Sequence, residues 1–393
     1  MKKKIFLLFM TCGLHPLVHA QSMLDSVLGA IASNNMSTQA NTLYWEAKKL
    51  EFKSGLTPKD PTVEYDYLNG SPAGAGNQTD FLVTQSFDFP TAYGKKTQLA
   101  NEQIKQAEFQ LLSSKQEILL EAKLICIELV YRNKLQIELT KRKASTEKWL
   151  ADFQRKLNKG EGNILDVNKA KLQRIEIVAH FQENASAINQ LHQKLTELNG
   201  GIEIVFADTE YSDLPTLPSF GVLETEIEVN DPIRKYLEQQ KIISQKQVEL
   251  SKAMSLPKLE TGYHYQAILG QTFNGVHIGF SIPLWENKNM VEADLANHTF
   301  NNLNLEDHKN EHFFEIQQKY EKQIQLGKTL IEYEMLFANI NTVQLLDKSL
   351  ALGHISTVEY FLEMTYYFEA LKNYLQIEME YHQIIAELYK HKL

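Results

Sequence analysis

Two short stretches carry the residues with the most chemical character. Gly160-Glu161-Gly162-Asn163-Ile164-Leu165-Asp166-Val167 and Gly353-His354-Ile355-Ser356-Thr357-Val358-Glu359-Tyr360 each place a capping side chain three residues after the first glycine and a carboxylate six residues after it. Gly160 and Gly353 can take the left-handed backbone that ends a helix. Asn163 and Ser356 can cap the next helix, and Asp166 and Glu359 then fall in its first turn, where the dipole favours negative charge. Such stretches turn one helix into another. His308 and His312, at i and i+4, could hold a metal ion from one helix face. Lys309 and Asn310 intervene, no third ligand is evident, and an exposed polar face explains both histidines, so neither metal nor cofactor is expected. No nucleophile elbow, phosphate loop or His-Glu-x-x-His motif occurs, which argues against an enzyme.

The elements around these stretches follow from punctuation. The ten prolines leave 91–214 and 284–393 free of them, and proline ends helices, so these are the candidate helical blocks. Pro90, Gly160 and Asp166 match Pro283, Gly353 and Glu359 at one constant offset, which predicts a tandem duplication. The first repeat is placed at 21-210, a linker at 211-222 and the second repeat at 223-393, each repeat being a helix, two strands and a long helical hairpin. Ile104, Leu111, Ile118, Ile125, Leu139 and Phe153 keep a seven-residue register, as do Ile324, Ile331, Ala338, Leu345 and Leu352. That spacing is a coiled-coil seam, interrupted in the first block by Arg132 and Thr146.

Extended segments are predicted at Pro61 to Asn69 and Phe81 to Phe89, then Lys258 to Ile268 and Phe273 to Ile282, alternating aromatic or aliphatic with polar side chains. A helix from Lys95 to Asn158 would measure about 95 Å, whereas the return from Ile164 to Asn199 covers only about 54 Å. The helix read from Ser22 to Lys53, about 48 Å, would make up the difference if stacked end to end on the return. Leu223 to Met254 plays the same part in the second repeat.

The N-terminus, Met1-Lys2-Lys3-Lys4 followed by Ile5-Phe6-Leu7-Leu8-Phe9-Met10 and Val18-His19-Ala20, reads as a signal peptide, 1-20, cut after Ala20 and without a lipid anchor at Cys12. Its loss removes three lysines from a chain whose formal net charge is already -9, an unpromising balance for nucleic-acid binding. Cys126 is then alone, which excludes an intramolecular disulfide. No later apolar run approaches the roughly 18 residues of a membrane helix, so any membrane span must be made of strands. Four strands cannot close a barrel, and open edges are not tolerated in lipid, so membrane strands require an oligomer.

In this order and spacing the motifs resemble the TolC family of outer-membrane efflux proteins over nearly all of the mature chain. The resemblance rests on the duplicated plan, on the two turnarounds, and on the junctions Phe87-Asp88-Phe89-Pro90 with Gly94-Lys95 and Ser281-Ile282-Pro283-Leu284-Trp285. It implies a mainly α fold with a four-stranded transmembrane β contribution, an α-barrel of long hairpins and a β-barrel completed only as a homotrimer. It also implies an exit duct in a Gram-negative outer membrane, with helices in the periplasm, a periplasmic adaptor (membrane fusion) protein and an inner-membrane resistance-nodulation-division pump. The branch exporting heavy-metal cations is the nearer likeness, ahead of ducts for drugs or secreted proteins. On this resemblance Gly160, Gly162, Asp166, Gly353 and Glu359 form the periplasmic tip and gate, where acidic side chains repeated by threefold symmetry select cations. Pro90, Gly94, Pro283 and Trp285 mark the strand–helix junctions, Trp285 suiting a membrane interface. The competing reading is a non-conducting periplasmic coiled-coil tether.

Overall fold

The computed structural model describes residues 19–285 and 287–393, without the side chains of 19–22 and 73. The expected signal peptide, 1-20, lies outside the described residues up to position 18, as does Cys12. The chain runs α1 (His19–Asn34), α2 (Met36–Phe52), β1 (Thr62–Leu68), β2 (Gln78–Phe87), α3 (Pro90–Asn158), α4 (Ile164–Leu198), α5 (Phe220–Asn230), α6 (Pro232–Met254), β3 (Lys258–Ile268), β4 (Gln271–Ser281), α7 (Met290–Asn339), α8 (Thr342–Ala351) and α9 (Thr357–Leu388). It divides into two compact units, one of Met1–Met36, Gln116–Leu223 and Gln317–Leu393, the other of Ser37–Lys115 and Glu224–Ile316.

In the second unit the strands form one antiparallel sheet, ordered β1-β2-β3-β4. Because side chains alternate along a strand, register sorts them into two faces. Val63, Val83, Tyr263 and Val276 share one row, and Phe87, Leu259 and Phe280 another on the same side. The opposite side carries Glu64 beside Leu82 and His264, Asp66 beside Asp80 and Gln266, and Ser86 beside Glu260. The apolar side is open: Val276 is 77% exposed and Phe280 68%. Strand β1, at 7 residues, is shorter than the sequence predicts. It ends before Gly70, where a Cβ would collide with the Gly76 carbonyl oxygen as the loop crosses itself.

In the first unit α4, α3, α9 and α7 lie side by side. Asn184 donates to the Arg132 carbonyl oxygen at 2.9 Å between α4 and α3. Lys134 pairs with Glu378 at 2.9 Å between α3 and α9, and Lys319 with Glu387 at 3.0 Å between α7 and α9. Ile125, Leu139 and Phe153 of the first seam are buried between these helices. Thr146, read as an interruption, is buried with them because its hydroxyl donates to the Arg142 carbonyl oxygen at 2.9 Å. The second seam differs. Ile331, Leu345 and Leu352 are 54%, 62% and 60% exposed, and Leu165, Leu172 and Ile175 on α4 are exposed as well. The outermost helices of the layer thus present apolar rows to solvent.

Three helices read as continuous are broken. The one from Ser22 to Lys53 stops at Asn35, whose side-chain amide donates to the Leu198 carbonyl oxygen at 2.8 Å, while the Asn34 amide donates to Asn199 at 3.0 Å. Leu24, Val27 and Ile31 pack α1 beside Leu195 and Leu198 of α4, so α1 runs alongside the return helix and is not stacked on its end. The junction needs a glycine: Gly200 has φ +67, and a Cβ there would lie 2.5 Å from the Asn34 carbonyl oxygen. The helix from Leu223 to Met254 breaks at Asp231-Pro232, where Asp231 caps Ile233 and Arg234 amides at 3.0 and 2.9 Å and proline opens α6. Between α7 and α8 the chain leaves the helix at 340–341, next to Asn339, whose amide bonds the Met335 carbonyl oxygen at 2.7 Å. Asparagine competes with the helix ladder in this way.

Candidate functional site

Both turnarounds close with one hydrogen-bond pattern. Gly160, at φ +74, donates to Leu157 at 3.0 Å, and Glu161 to Lys156 at 3.0 Å; Gly353, at φ +71, donates to Leu350 at 3.1 Å, and His354 to Ser349 at 2.9 Å. These are the paired bonds of a Schellman C-cap. Gly162 serves sterically, since a Cβ on it would sit 2.6 Å from the Leu157 amide nitrogen. Asn163 then accepts from the Leu165 amide at 2.9 Å.

The two carboxylates differ. Glu359 accepts the Ser356 amide at 2.7 Å while the Ser356 hydroxyl accepts the Glu359 amide at 3.2 Å, a closed capping box. The Ser356 backbone bond holds the Glu359 carboxyl below its usual range. Asp166 is half-buried and its carboxylate makes no hydrogen bond or ion pair among the described residues. Asp166 and Gly162 line a cleft with Gly353, Ile355 and Ser356, so the first-repeat tip meets the second; the Glu359 carboxylate is turned to the Ser356 amide.

Beneath the tips lies a shared core that sequence reading missed. Phe153, Val167 and Ala170 pack against Leu350, Tyr360 and Met364. Tyr360 is 2% exposed, accepts from Trp149 Nε1 at 3.1 Å and donates to Asp347 at 2.8 Å. Burial raises its pKa. The available signal was two large aromatics, Trp149 and Tyr360, each near a hairpin tip.

Gly162→Ala is expected to destabilise the tip by about 1–3 kcal/mol, because the new methyl meets rigid backbone. Gly160→Ala, facing open space, is expected to cost only the left-handed penalty of about 1–2 kcal/mol. Guanidinium unfolding of the two variants checks the order.

The junction residues fall in the second unit. Pro90 opens α3, five residues before the expected start, and Gly94 is therefore an interior helical residue with open space around it, not a junction break. Proline at the first helical position loses no bond, which lets the helix begin there. Pro283 opens no helix: α7 begins at Met290, after Asn289 at φ +66 and an Asn287 amide that donates to the Met254 carbonyl oxygen at 2.6 Å. Trp285 is 79% exposed in the link between β4 and α7, four residues past the strand.

The histidine pair does not lie on an exposed polar face. His308 and His312 are half-buried, at 3.2 Å from Asp231 at the α5–α6 break and 2.7 Å from Glu228 on α5 respectively, so each ring has a carboxylate beside it. Cys126 is buried in the first-unit core with its thiol pushed up to about 12 by burial, which keeps it unreactive.

No protein-family model matches the sequence, and no curated protein matches it. Among solved structures, CusC, described as undergoing conformational changes on folding and transmembrane channel formation, aligns with TM-score 0.80 at 13% identity over 98% of this chain and 95% of its own. The CmeC outer membrane channel of Campylobacter jejuni aligns with TM-score 0.74 at 14% identity, covering 94% and 85%. The outer membrane protein VceC of Vibrio cholerae aligns with TM-score 0.71 at 14% identity, covering 95% and 96%. The chain has the fold of these outer-membrane proteins. The mainly helical class with its four-stranded sheet accords with the sequence-based expectation.

Proposed function

We propose that the chain is one protomer of a homotrimeric outer-membrane exit duct of the TolC family. It passively conducts substrate delivered by a periplasmic adaptor and an inner-membrane resistance-nodulation-division pump. The observation that carries this reading is the sheet: one exposed face is aliphatic and aromatic, the other is acidic and histidine-bearing, and β1 and β4 each keep an unpaired edge. A sheet of that kind suits a barrel with lipid outside and water inside, closed by copies of itself. The exposed rows on α4 and on α7–α8 supply matching edges for a heterologous contact, and such contacts generate rings. The likeness in fold to outer-membrane channels supports the same reading.

Two repeats, at 21-210 and 223-393, account for the same Schellman closure at both tips. The tips act as the gate. Asp166, free of helix bonding and facing the cleft, is the better candidate for selecting charge, and Glu359 is largely committed to capping. Metal cations are the favoured cargo, because the polar sheet face and the tip both present carboxylates along the proposed path. Replacing Asp166 with alanine is expected to lower the cation preference of reconstituted channels, with little change from Glu359→Ala; equal effects would assign the two residues one role. The oligomer itself is tested by the mass of detergent-extracted protein, expected at three chains. A protein soluble without detergent and monomeric would favour a periplasmic tether.

A further inference from the structure

In the second unit, the corner between α5 and α6 meets α7 through four ionisable side chains. Asp231 is 8% exposed at the helix break, and the side chains of Glu228, His308 and His312 are 11%, 22% and 19% exposed. One ring nitrogen of each histidine and one Asp231 oxygen lie within 4.8 Å of one another. The two rings stack nearly parallel, with centroids 5.3 Å apart at 14°.

We propose that this corner is a resident divalent transition-metal site of the zinc class, with His308, His312 and Asp231 as ligands and Glu228 orienting His312. Two imidazoles and a carboxylate with one position left to water is an established donor set for zinc. The i, i+4 spacing places both rings on one turn of α7, so a single helix supplies two ligands without backbone movement. Tetrahedral ligands about 2.0–2.2 Å from one zinc ion stand roughly 3.3–3.6 Å apart; His308 and Asp231 are already at 3.2 Å, so side-chain torsions need only bring the His312 ring in.

The surroundings fit the same assignment. Asp231 is fixed before any ion arrives, since its oxygens accept the Ile233 and Arg234 amides at the start of α6. Glu228 lies 2.7 Å from His312 Nδ1, the place of the carboxylate that holds a metal-bound histidine in orientation. Its other oxygen is paired with Arg234 at 3.2 Å, which keeps it in position. Bound metal would fasten α7 to the α5–α6 corner. The assignment stands on these side chains alone and is independent of the duct reading and its cargo.

The test uses full-length detergent-solubilised protein without a polyhistidine tag, stripped with chelator and titrated with Zn2+ by calorimetry. Saturable binding at one zinc per chain is expected. His312→Ala should abolish it. Asp231→Asn, which keeps a good helix-capping side chain, should weaken it by at least about 10–100-fold while leaving helix content and oligomeric mass unchanged. Co2+ in place of zinc should give the intense visible bands of a four-coordinate site in wild type and lose them in either variant. Absence of saturable binding, or equal binding by wild type and both variants, would overturn the proposal and leave two histidine–carboxylate hydrogen bonds.

Discussion

Aspartate at Ile331 and Leu345 together is expected to abolish the oligomer while the chain remains folded. Both side chains are more than half exposed within the chain, so the substitutions remove little internal packing. Surface changes of that kind usually alter folding by no more than about 0.5 kcal/mol. In a closed ring the same positions would be buried, and the effective penalty for burying each unpaired carboxylate is several kcal/mol. A cyclic assembly repeats that penalty at each interface, so association is lost outright. Leu172→Asp, on the opposite outer helix, is expected to act in the same way, since a heterologous contact joins one row to the other. Light scattering after size exclusion reads the mass, and circular dichroism reads the fold. A persisting oligomer would place the interface elsewhere.

The second large effect concerns acid. His382 stacks on Tyr211 at a centroid distance of 4.0 Å, and burial, assisted by the Lys134 charge, lowers its pKa from 6.5 to about 4. Lys134 is itself paired with Glu378, whose carboxyl burial raises. Below pH 6.5 the unfolded chain takes up a proton that the folded chain refuses, so stability rises with pH in this window and falls on acidification. At about 1.4 kcal/mol per pH unit, His382 alone removes on the order of 3 kcal/mol between pH 6.5 and about 4. His382→Phe keeps an aromatic ring against Tyr211 and is expected to flatten that part of the curve. Guanidinium unfolding across the window checks it; an unchanged slope would mean that His382 is protonated in the folded state.

The features that were legible in the sequence are those set by local chemistry. Glycine at the tips, proline at Pro90 and alternating strand residues each impose a conformation that few neighbours can override. The helix breaks were harder. Asn35 and Asn339 look like ordinary polar helix residues until the carbonyl they bond is known, and for Asn35 that carbonyl belongs to Leu198, far away in sequence. Asp231-Pro232 was a readable start signal inside a segment taken as one helix. Having passed over it, sequence reasoning also lost Asp231 as a partner for His308. Heptad spacing located Ile331 and Leu345 but could not tell whether their partner lay within the chain or outside it, because periodicity defines a face and not what covers it.

Copies of this chain are proposed to close a water-filled path through a lipid bilayer. Purified oligomer added to a planar lipid bilayer tests it most directly. Discrete conductance steps are expected that favour cations and that disappear with the Ile331 and Leu345 aspartate variant. Wild-type oligomer that inserts without conducting, or steps that survive in the monomeric variant, would contradict it.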